Sequence, residues 1–328
     1  MSSSDGQGGR PPHTPPKGDG QGGRPPHTPP KGDGQGGRPL ETPPKGQDQP
    51  TAHRDWSYSR GWRAFTVAIV LPLSRLLVRF RWQGKEYLPR TGGVILAPNH
   101  LSYADWPAMA VFSYLYGHRF PVFMIKSGIF EVPVIGPLMY KDGQLPVYRG
   151  RGDAGLVLRQ AEQALAAGAC VIVYPEGTAS RDPEFWPMVG KTGAARLALT
   201  TGAPVIPIGQ WGAQDILPYG SKKPKLWPRK TVRMIAGPPV DLSAYAGQRL
   251  GASTLQAATA DIMADVTALL AEIRKEAPPA EVWDPAIGGR RPSTLPPSPS
   301  DRTDRGAPSP AAAPPPAETP TPVDPGPA

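Results

Sequence analysis

The central part of the chain alternates short apolar runs with amphipathic stretches. Apolar runs predict buried strands, and they begin at residues 93, 121, 144, 169, 204 and 231. Apolar residues at helical spacing predict helices over residues 105–116, 128–140, 153–167 and 191–200, and a long helix containing Leu255, Ile262, Val266, Leu269 and Ile273. Strands that are apolar throughout are typical of a parallel sheet covered on both faces. The predicted fold class is therefore α/β, with a mainly parallel sheet and helices on both of its faces.

The segment from residue 61 to residue 82 combines a short apolar run with arginines and flanking tryptophans. Its uncharged part, residues 64–74, is about half as long as the roughly twenty residues that a membrane span needs. This composition favours a helix in the membrane interface or a short re-entrant hairpin. The alternative is an ordinary amphipathic helix that covers the core. The expected membrane-facing residues are Trp62, Phe65, Ile69, Leu76 and Phe80.

Both ends of the chain are rich in proline, glycine, serine, threonine and alanine and poor in aliphatic residues. Such segments bury too little apolar surface to offset the entropy of ordering, so we expect them to be disordered. The N-terminal end repeats a fourteen-residue unit, which we interpret as a spacer, with a Pro-x-x-P docking ligand as the alternative. The expected organisation is a disordered tail over residues 1–52, a helical membrane-interface segment over 53–82, a globular domain over 83–276 and a disordered tail over 277–328.

The formal net charge is +9, and the basic surplus lies between the two ends, which are nearly neutral. A basic domain prefers an anionic partner, such as a membrane surface, a phosphorylated substrate or nucleic acid. Nucleic acid is the weakest of these, because the basic residues form no helical stripe and no known module. The single cysteine, Cys170, lies in an apolar run, which predicts a buried thiol and fits a reducing cytosol. No secretory signal is expected, because the first residues contain no apolar stretch.

A histidine and an aspartate follow the first of these predicted strands. His100 and Asp105 are five residues apart, so they would not share a face of one regular helix. They can meet if His100 lies in the loop and Asp105 begins the next helix, with Pro107 in its first turn. Asp105 would then accept a hydrogen bond from one imidazole nitrogen and leave the other as a base. The alternative is a capping aspartate beside an unrelated polar histidine, so this pair alone is a weak signal.

Polar residues also follow two later strands, and in open α/β sheets sites gather at the carboxyl ends of strands. Arg149 ends a short strand, where a guanidinium suits a phosphate or a surface salt bridge. Glu176 could hydrogen-bond a hydroxyl or brace its loop, and the backbone amides after Gly177 could bind an anion or form an ordinary turn. The sequence contains no nucleophile elbow, no Walker loop and no paired cysteines, and its histidines are too scattered for a metal cluster.

Taken in order, these segments resemble the 1-acylglycerol-3-phosphate (lysophospholipid) acyltransferase family. The family is marked by a His-x-x-x-x-Asp block, a Gly-x-x-x-x-x-Arg block, a Pro-Glu-Gly-Thr block and a Val-Pro-type strand. Here the blocks are His100–Asp105, Gly143–Arg149, Pro175–Thr178 and Val205–Ile208, and the resemblance covers about residues 82–240. Four blocks in order are specific although each is weak.

Two positions depart from the family pattern. Ala179 stands where many members have an arginine, and Arg181 follows two residues later. Gly128 stands where many members have an acidic residue. Both departures concern the identity of the acceptor more than the type of reaction.

The resemblance implies acyl transfer from acyl-coenzyme A or acyl carrier protein to lysophosphatidic acid or a related lysophospholipid. His100 would be the general base, oriented by Asp105, and it would remove the proton of the acceptor hydroxyl as that hydroxyl attacks the thioester. The substrate-binding residues that the resemblance implies are Asn99, Arg149, Glu176, Gly177, Thr178, Arg181 and Lys191. We expect no metal and no cofactor besides the thioester co-substrate.

The expected location is the cytoplasmic face of the cell membrane, with peripheral or monotopic attachment to an anionic surface. Two rival functions stay open. The same His–Asp pair could hydrolyse acyl thioesters or lysolipids, or the chain could be a non-catalytic, basic membrane-binding protein. Product analysis with and without a lysophospholipid acceptor separates transfer from hydrolysis.

Overall fold

One seven-stranded sheet runs through the part of the chain that the computed structural model describes, residues 56–147, 154–218, 220–221 and 223–292. Its strands are β1 (Val78–Gln83), β2 (Val94–Pro98), β3 (Pro121–Lys126), β4 (Leu145–Val147), β5 (Cys170–Ile172), β6 (Val205–Trp211) and β7 (Lys230–Ala236). Their order is β1-β7-β6-β2-β5-β3-β4, and all neighbours are parallel except β6 and β7. The predicted mainly parallel sheet is confirmed.

Helices cover both faces of this sheet. They are α1 (Arg60–Leu77), α2 (Asp105–Val111), α3 (Ile135–Lys141), α4 (Ala154–Ala166), α5 (Gly193–Thr201) and α6 (Ala252–Arg274), and α2 continues into a π-helical turn, Phe112–Tyr116. On one face, α4, α5 and α6 pack against sheet residues such as Ile95. On the other face, α2 contributes Met109 to a second cluster with Leu96. The predicted fold class is therefore confirmed.

The central strands place polar residues at one edge of the sheet. β2 lies between β5 and β6, with Leu96 paired to both Ile172 and Ile206. All three strands are parallel, so their carboxyl ends meet at the same edge. The loops that leave this edge carry His100 after β2 and Glu176 after β5, and β6 ends there at Trp211.

The predicted membrane-interface segment over residues 53–82 is wrong at its C-terminal end. α1 ends at Leu77, and residues 78–83 form β1 beside β7. The sequence VRFRWQ alternates with a period of two, which suits a half-buried strand rather than a helix. Phe80 is therefore half-buried against the sheet and does not belong to the exposed face of α1.

The predicted helix over residues 128–140 is also shorter than expected. A 3₁₀ turn, Ser127–Ile129, precedes it, and α3 begins at Ile135. Pro133 disfavours helical conformation in the residue before it, so the helix begins after this proline.

The predicted disordered tail over residues 277–328 begins too early. β8 (Glu281–Asp284) and β9 (Gly289–Pro292) form an antiparallel hairpin in which Val282 is buried. The isolated composition of this segment predicts disorder, but contacts with a distant loop order it. Residues 1–55 and 293–328 lie outside the described residues, as do the predicted tails there.

Candidate active site

His100 and Asp105 form a hydrogen-bonded pair at the carboxyl end of β2. His100 Nδ1 lies 2.8 Å from Asp105 Oδ2, and the side chains are 15% and 0% exposed. A carboxylate can only accept, so Nδ1 carries the proton and Nε2 is left as a base. Asp105 begins α2, and its Oδ2 also accepts the backbone N–H groups of Leu101 and Ser102 at 2.6 and 3.0 Å. This is the geometry that the sequence predicts for the pair.

The backbone of His100 is held from both sides. Its N–H donates to Glu176 Oε1 at 2.7 Å, and its carbonyl accepts the N–H of Ser180 at 2.7 Å. The other oxygen of Glu176 accepts the N–H of Met188 at 3.0 Å. Glu176 is 1% exposed, so it braces the loop and has no open oxygen for a substrate. Of the two roles considered for Glu176, the structure supports the brace and corrects its assignment as a substrate contact.

Tyr174 packs beside the imidazole of His100. The two ring centroids lie 4.4 Å apart at an interplanar angle of 32°. Burial and the nearby Asp105 raise the pKa of Tyr174 well above its usual value. The phenol is therefore neutral at physiological pH, and its ring packs against the imidazole of the base. Tyr174 directly precedes the Pro-Glu-Gly-Thr block and is not among the predicted site residues.

Asn99 is fully buried and joins β2 to β6. Its Nδ2 donates to the carbonyl of Gln210 at 3.1 Å, and its Oδ1 accepts the N–H of Gln210 at 2.8 Å. The side-chain amide of Gln210 in turn donates to the carbonyl of Asn99. The implied role of Asn99 in substrate binding is therefore corrected to a structural one. The sequence does contain a signal for this partner, because Gln210 is a polar residue within the mostly apolar strand β6.

Two exposed cations lie next to the catalytic loop, residues 99–105, and we call Arg181 and Lys191 the cationic rim. Gly177 has a φ of 68°, and a Cβ there would lie 2.9 Å from Lys191 Nζ, so the lysine side chain crosses this glycine. Arg181 directly follows Ser180 and is exposed. Thr178 is half-buried beside this turn, and Arg149 lies outside the described residues. Both rim side chains are thus open to solvent.

Two exposed aromatic residues lie in or next to the catalytic loop. Tyr103 and Trp106 are about half exposed, and the ring of Tyr103 lies 6.3 Å from that of His100. Ser102 is buried, and its hydroxyl donates to the carbonyl of Leu217 at 2.7 Å, so it is not placed as a nucleophile. Exposed cations and exposed aromatic rings thus both occur in the segments around His100.

Part of the chain is similar to known acyltransferases. The model of the Acyltransferase family matches residues 79–211, which include all four sequence blocks. The chloroplastic 1-acyl-sn-glycerol-3-phosphate acyltransferase BAT2 of Brassica napus is 34% identical over 142 residues, covering 43% of this chain and 39% of that protein. A lyso-ornithine lipid O-acyltransferase of Pseudomonas aeruginosa is 28% identical over 120 residues, covering 37% of this chain and 43% of that protein.

The chain spans about two fifths of the length of the curated relatives that it matches first. Among solved structures, the 1-acyl-sn-glycerophosphate (LPA) acyltransferase PlsC of Thermotoga maritima is similar, with a TM-score of 0.48 and 21% identity over 66% of this chain and 83% of that chain.

Proposed function

Because residues 79–211 match the model of the Acyltransferase family and the chain is similar to acyltransferases of lysophospholipids, we propose that the protein acylates a lysophospholipid. The acyl group comes from acyl-coenzyme A or acyl carrier protein, and the acceptor is the free hydroxyl of lysophosphatidic acid or a related lysophospholipid. The reaction serves phospholipid biosynthesis or remodelling. The observation that carries the proposal is the pair of His100 with the buried Asp105, which leaves Nε2 of a partly exposed imidazole as a base.

In the proposed reaction His100 acts directly on the acceptor. Nε2 takes the proton of the hydroxyl while its oxygen attacks the thioester carbonyl carbon. The carbon–sulfur bond then breaks, the new ester remains, and the imidazolium returns the proton to the leaving thiolate. Asp105 stabilises the imidazolium and fixes the ring orientation. The buried Ser102, whose hydroxyl is already bonded, supports direct transfer without an acyl-enzyme.

The acceptor phosphate binds at the cationic rim in this proposal. Arg181 and Lys191 are exposed on the segments that adjoin the catalytic loop, and Arg149 joins them through the resemblance of its sequence block. Guanidinium groups suit phosphate because they offer paired donors, whereas lysine acts as a point charge. The rim fixes the headgroup, so that the hydroxyl reaches His100 in line with the thioester.

We also propose that α1 docks on the anionic cytoplasmic face of the cell membrane. One side of the helix is fixed to the domain: Thr66 Oγ1 donates to Asp142 Oδ2 at 2.7 Å, and Arg63 Nε donates to the carbonyl of Asp142 at 3.0 Å. The other side exposes Trp62, Phe65, Ile69, Leu73 and Leu76. Among the described residues, no helix combines the length and apolar character needed to cross a bilayer.

A second apolar tip lies beside the end of α1. Trp227 is 87% exposed within a loop that also carries Lys223, Lys225 and Arg229. Arg229 donates to the carbonyls of Arg75 and Val78, which ties this loop to the helix end. An exposed tryptophan among cations suits the headgroup region of an anionic membrane.

The test is to incubate purified protein with acyl-coenzyme A or acyl carrier protein and a panel of lysophospholipids, and to identify the products by mass. The expected product is a diacyl phospholipid that forms with the native protein and not with His100→Ala. Free fatty acid that forms equally with and without an acceptor would instead establish the hydrolase. Absence of any product with every donor and acceptor would favour the non-catalytic, membrane-binding alternative.

A further inference from the structure

The β8–β9 hairpin lies outside the matched acyltransferase region but contacts the loop that holds His100. The N–H of Val189 donates to the carbonyl of Trp283 at 2.9 Å, and Met188 forms a β-bridge with Trp283. The hairpin thereby grips one end of residues 180–189, which we call the clasped segment. This contact explains why residues poor in aliphatic side chains are ordered.

Arg290 of the hairpin grips the other end of the clasped segment. Its Nη2 lies 2.8 and 2.9 Å from the two carboxylate oxygens of Asp182, and its Nε lies 3.2 Å from one of them. Nη2 also bonds Glu184 Oε2 at 2.7 Å. The Asp182 side chain is 0% exposed, whereas that of Arg290 is 24% exposed. A buried carboxylate needs such a partner, because an unpaired buried charge is strongly unfavourable.

The clasped segment in turn fixes the catalytic histidine. Ser180 donates its N–H to the carbonyl of His100, and Met188 donates its N–H to Glu176, which accepts the N–H of His100. Inside the segment, Ser180 Oγ donates to the carbonyl of Trp186 at 2.9 Å and accepts the N–H of Asp182 at 3.2 Å. Both backbone polar groups of His100 are therefore one or two hydrogen bonds from residues that the hairpin holds.

From these contacts we propose that the hairpin positions the base, with Arg290 as the positioning residue. The inference rests on the proposed function in that His100 is the base. Arg290 does not touch the substrate: it fixes Asp182, which fixes Ser180, which sets the position of the His100 backbone. The same contacts fix the backbone on both sides of Arg181 and so place this rim cation relative to the base. Loss of Arg290 lets the clasped segment move and misaligns base and headgroup together.

The test compares Arg290→Met with Arg291→Met in the full chain. Arg291 is a matched control, because it is the neighbouring arginine of the same strand but bonds Asp284 within the hairpin, at 2.9 Å. Arg290→Met should lower kcat about tenfold to a hundredfold and raise the KM of the acceptor, with the KM of the donor nearly unchanged, since misplacement of reacting groups is costly. Arg291→Met should stay within about twofold of the native protein, because it leaves the clasped segment in place. Equal losses in both variants would overturn the specific role of Arg290.

A spectroscopic readout separates this inference from the proposed function. The Nδ1–H proton of His100, which donates to Asp105, can be followed by NMR and identified by its loss in His100→Ala. Its chemical shift should move in Arg290→Met, remain native in Arg291→Met, and return toward the native value in the pair Asp182→Asn with Arg290→Met, which removes both charges. An unmoved resonance in Arg290→Met overturns the inference whether or not the protein acylates lipids. If Arg290→Met does not fold, Arg290→Lys keeps the charge, loses the paired geometry and must show the same shift to a smaller degree.

Discussion

The frame around His100, formed by Asp105 and Glu176, and the cationic rim beside it use their polar groups in opposite ways. In the frame, Asp105 and Glu176 are buried and already bonded to backbone N–H groups or to the imidazole. In the rim, Arg181 and Lys191 expose their side chains to solvent. Rigid, desolvated groups hold a base in place, whereas exposed charges remain open to a ligand. The difference predicts that damage to the frame changes turnover and damage to the rim changes acceptor affinity.

The largest effect should come from removing the base. His100→Ala should lower kcat about 10³-fold, within the usual contribution of a general base, and leave vesicle binding unchanged. Asp105→Ala should be less severe in kcat, because the imidazole remains, although it also leaves buried N–H groups unpaired. Steady-state kinetics with near-native circular dichroism check both. Full turnover by folded His100→Ala would remove the basis for the frame.

A second variant tests whether α1 binds the membrane independently of the frame and the rim. The triple variant Phe65→Asp, Ile69→Asp and Leu76→Asp alters residues that are 50%, 49% and 70% exposed, so the fold should survive. Its affinity for anionic vesicles should fall about a hundredfold or more, because each buried apolar side chain is worth about 1.5–3 kcal/mol. Turnover of a short-chain, water-soluble acceptor should stay near native, since neither the frame nor the rim is touched.

Ile287→Asp is the control for this variant, since Ile287 is 65% exposed at the turn of the hairpin. It should bind vesicles as the native protein does. If the triple variant fails to fold, α1 belongs to the core, and the interfacial proposal is wrong. If both variants lose binding equally, the loss reflects added negative charge rather than a docking face.

Changes in the rim should be milder and confined to one substrate. Arg181→Ala and Lys191→Ala should each raise the acceptor KM about tenfold, the range of a charge-assisted contact of roughly 1.5 kcal/mol, with the donor KM nearly constant. Arg149→Ala should behave in the same way if its sequence block has the implied role. Kinetics with both substrates varied in turn measure the split. A change in the donor KM alone would mean that the rim binds the acyl donor and not the acceptor.

The buried Glu176 gives the frame a pH dependence that the rim lacks. Burial raises the pKa of Glu176 to about 8, although the N–H groups of His100 and Met188 lower it in part. The folded protein thus holds a proton between about pH 4.5 and pH 8 that the unfolded chain has released. The free energy of unfolding should therefore fall as pH rises through this window, by at most about 1.4 kcal/mol per unit.

Urea unfolding at several pH values checks this dependence. Glu176→Gln should flatten the curve, because the amide does not titrate. A native slope in Glu176→Gln would mean that another group carries the proton.

The sequence predicted the parts of the molecule whose signal is local. β2, β5 and β6 are continuous apolar runs, which a parallel sheet buries on both faces. β1 was missed because its alternating arginines continue directly from the amphipathic α1. β8 and β9 were missed because each has only four residues, and β9 contains glycine and proline, which are depleted in strands. Their order depends on contacts with residues about a hundred positions away.

The site shows the same division. The pairing of His100 with Asp105 could be predicted, because a loop histidine and the first residue of a helix are close in sequence. The roles of Asn99 and Glu176 could not, since a polar side chain after a strand can face either the cleft or the interior. Gln210, 111 positions from Asn99, decides the first case, and Met188, 12 positions from Glu176, decides the second. Polar residues in motifs therefore locate a site before they reveal which of them touch the ligand.

The smallest effect is expected from deleting the two ends of the chain. Deletion of residues 1–50 together with 293–328 should leave kcat and both KM values within about twofold, because these segments have too few aliphatic residues to add to a core. A deletion from residue 277 should be far worse, since it removes Arg290 and leaves the buried Asp182 without its bonded cation. The contrast between the two deletions, measured in kcat and in melting temperature, attributes the loss to the hairpin. A large loss from the shorter deletion would mean that an end of the chain closes over the site or recruits the acyl donor. A native rate after the longer deletion would mean that His100 is held in place without the hairpin.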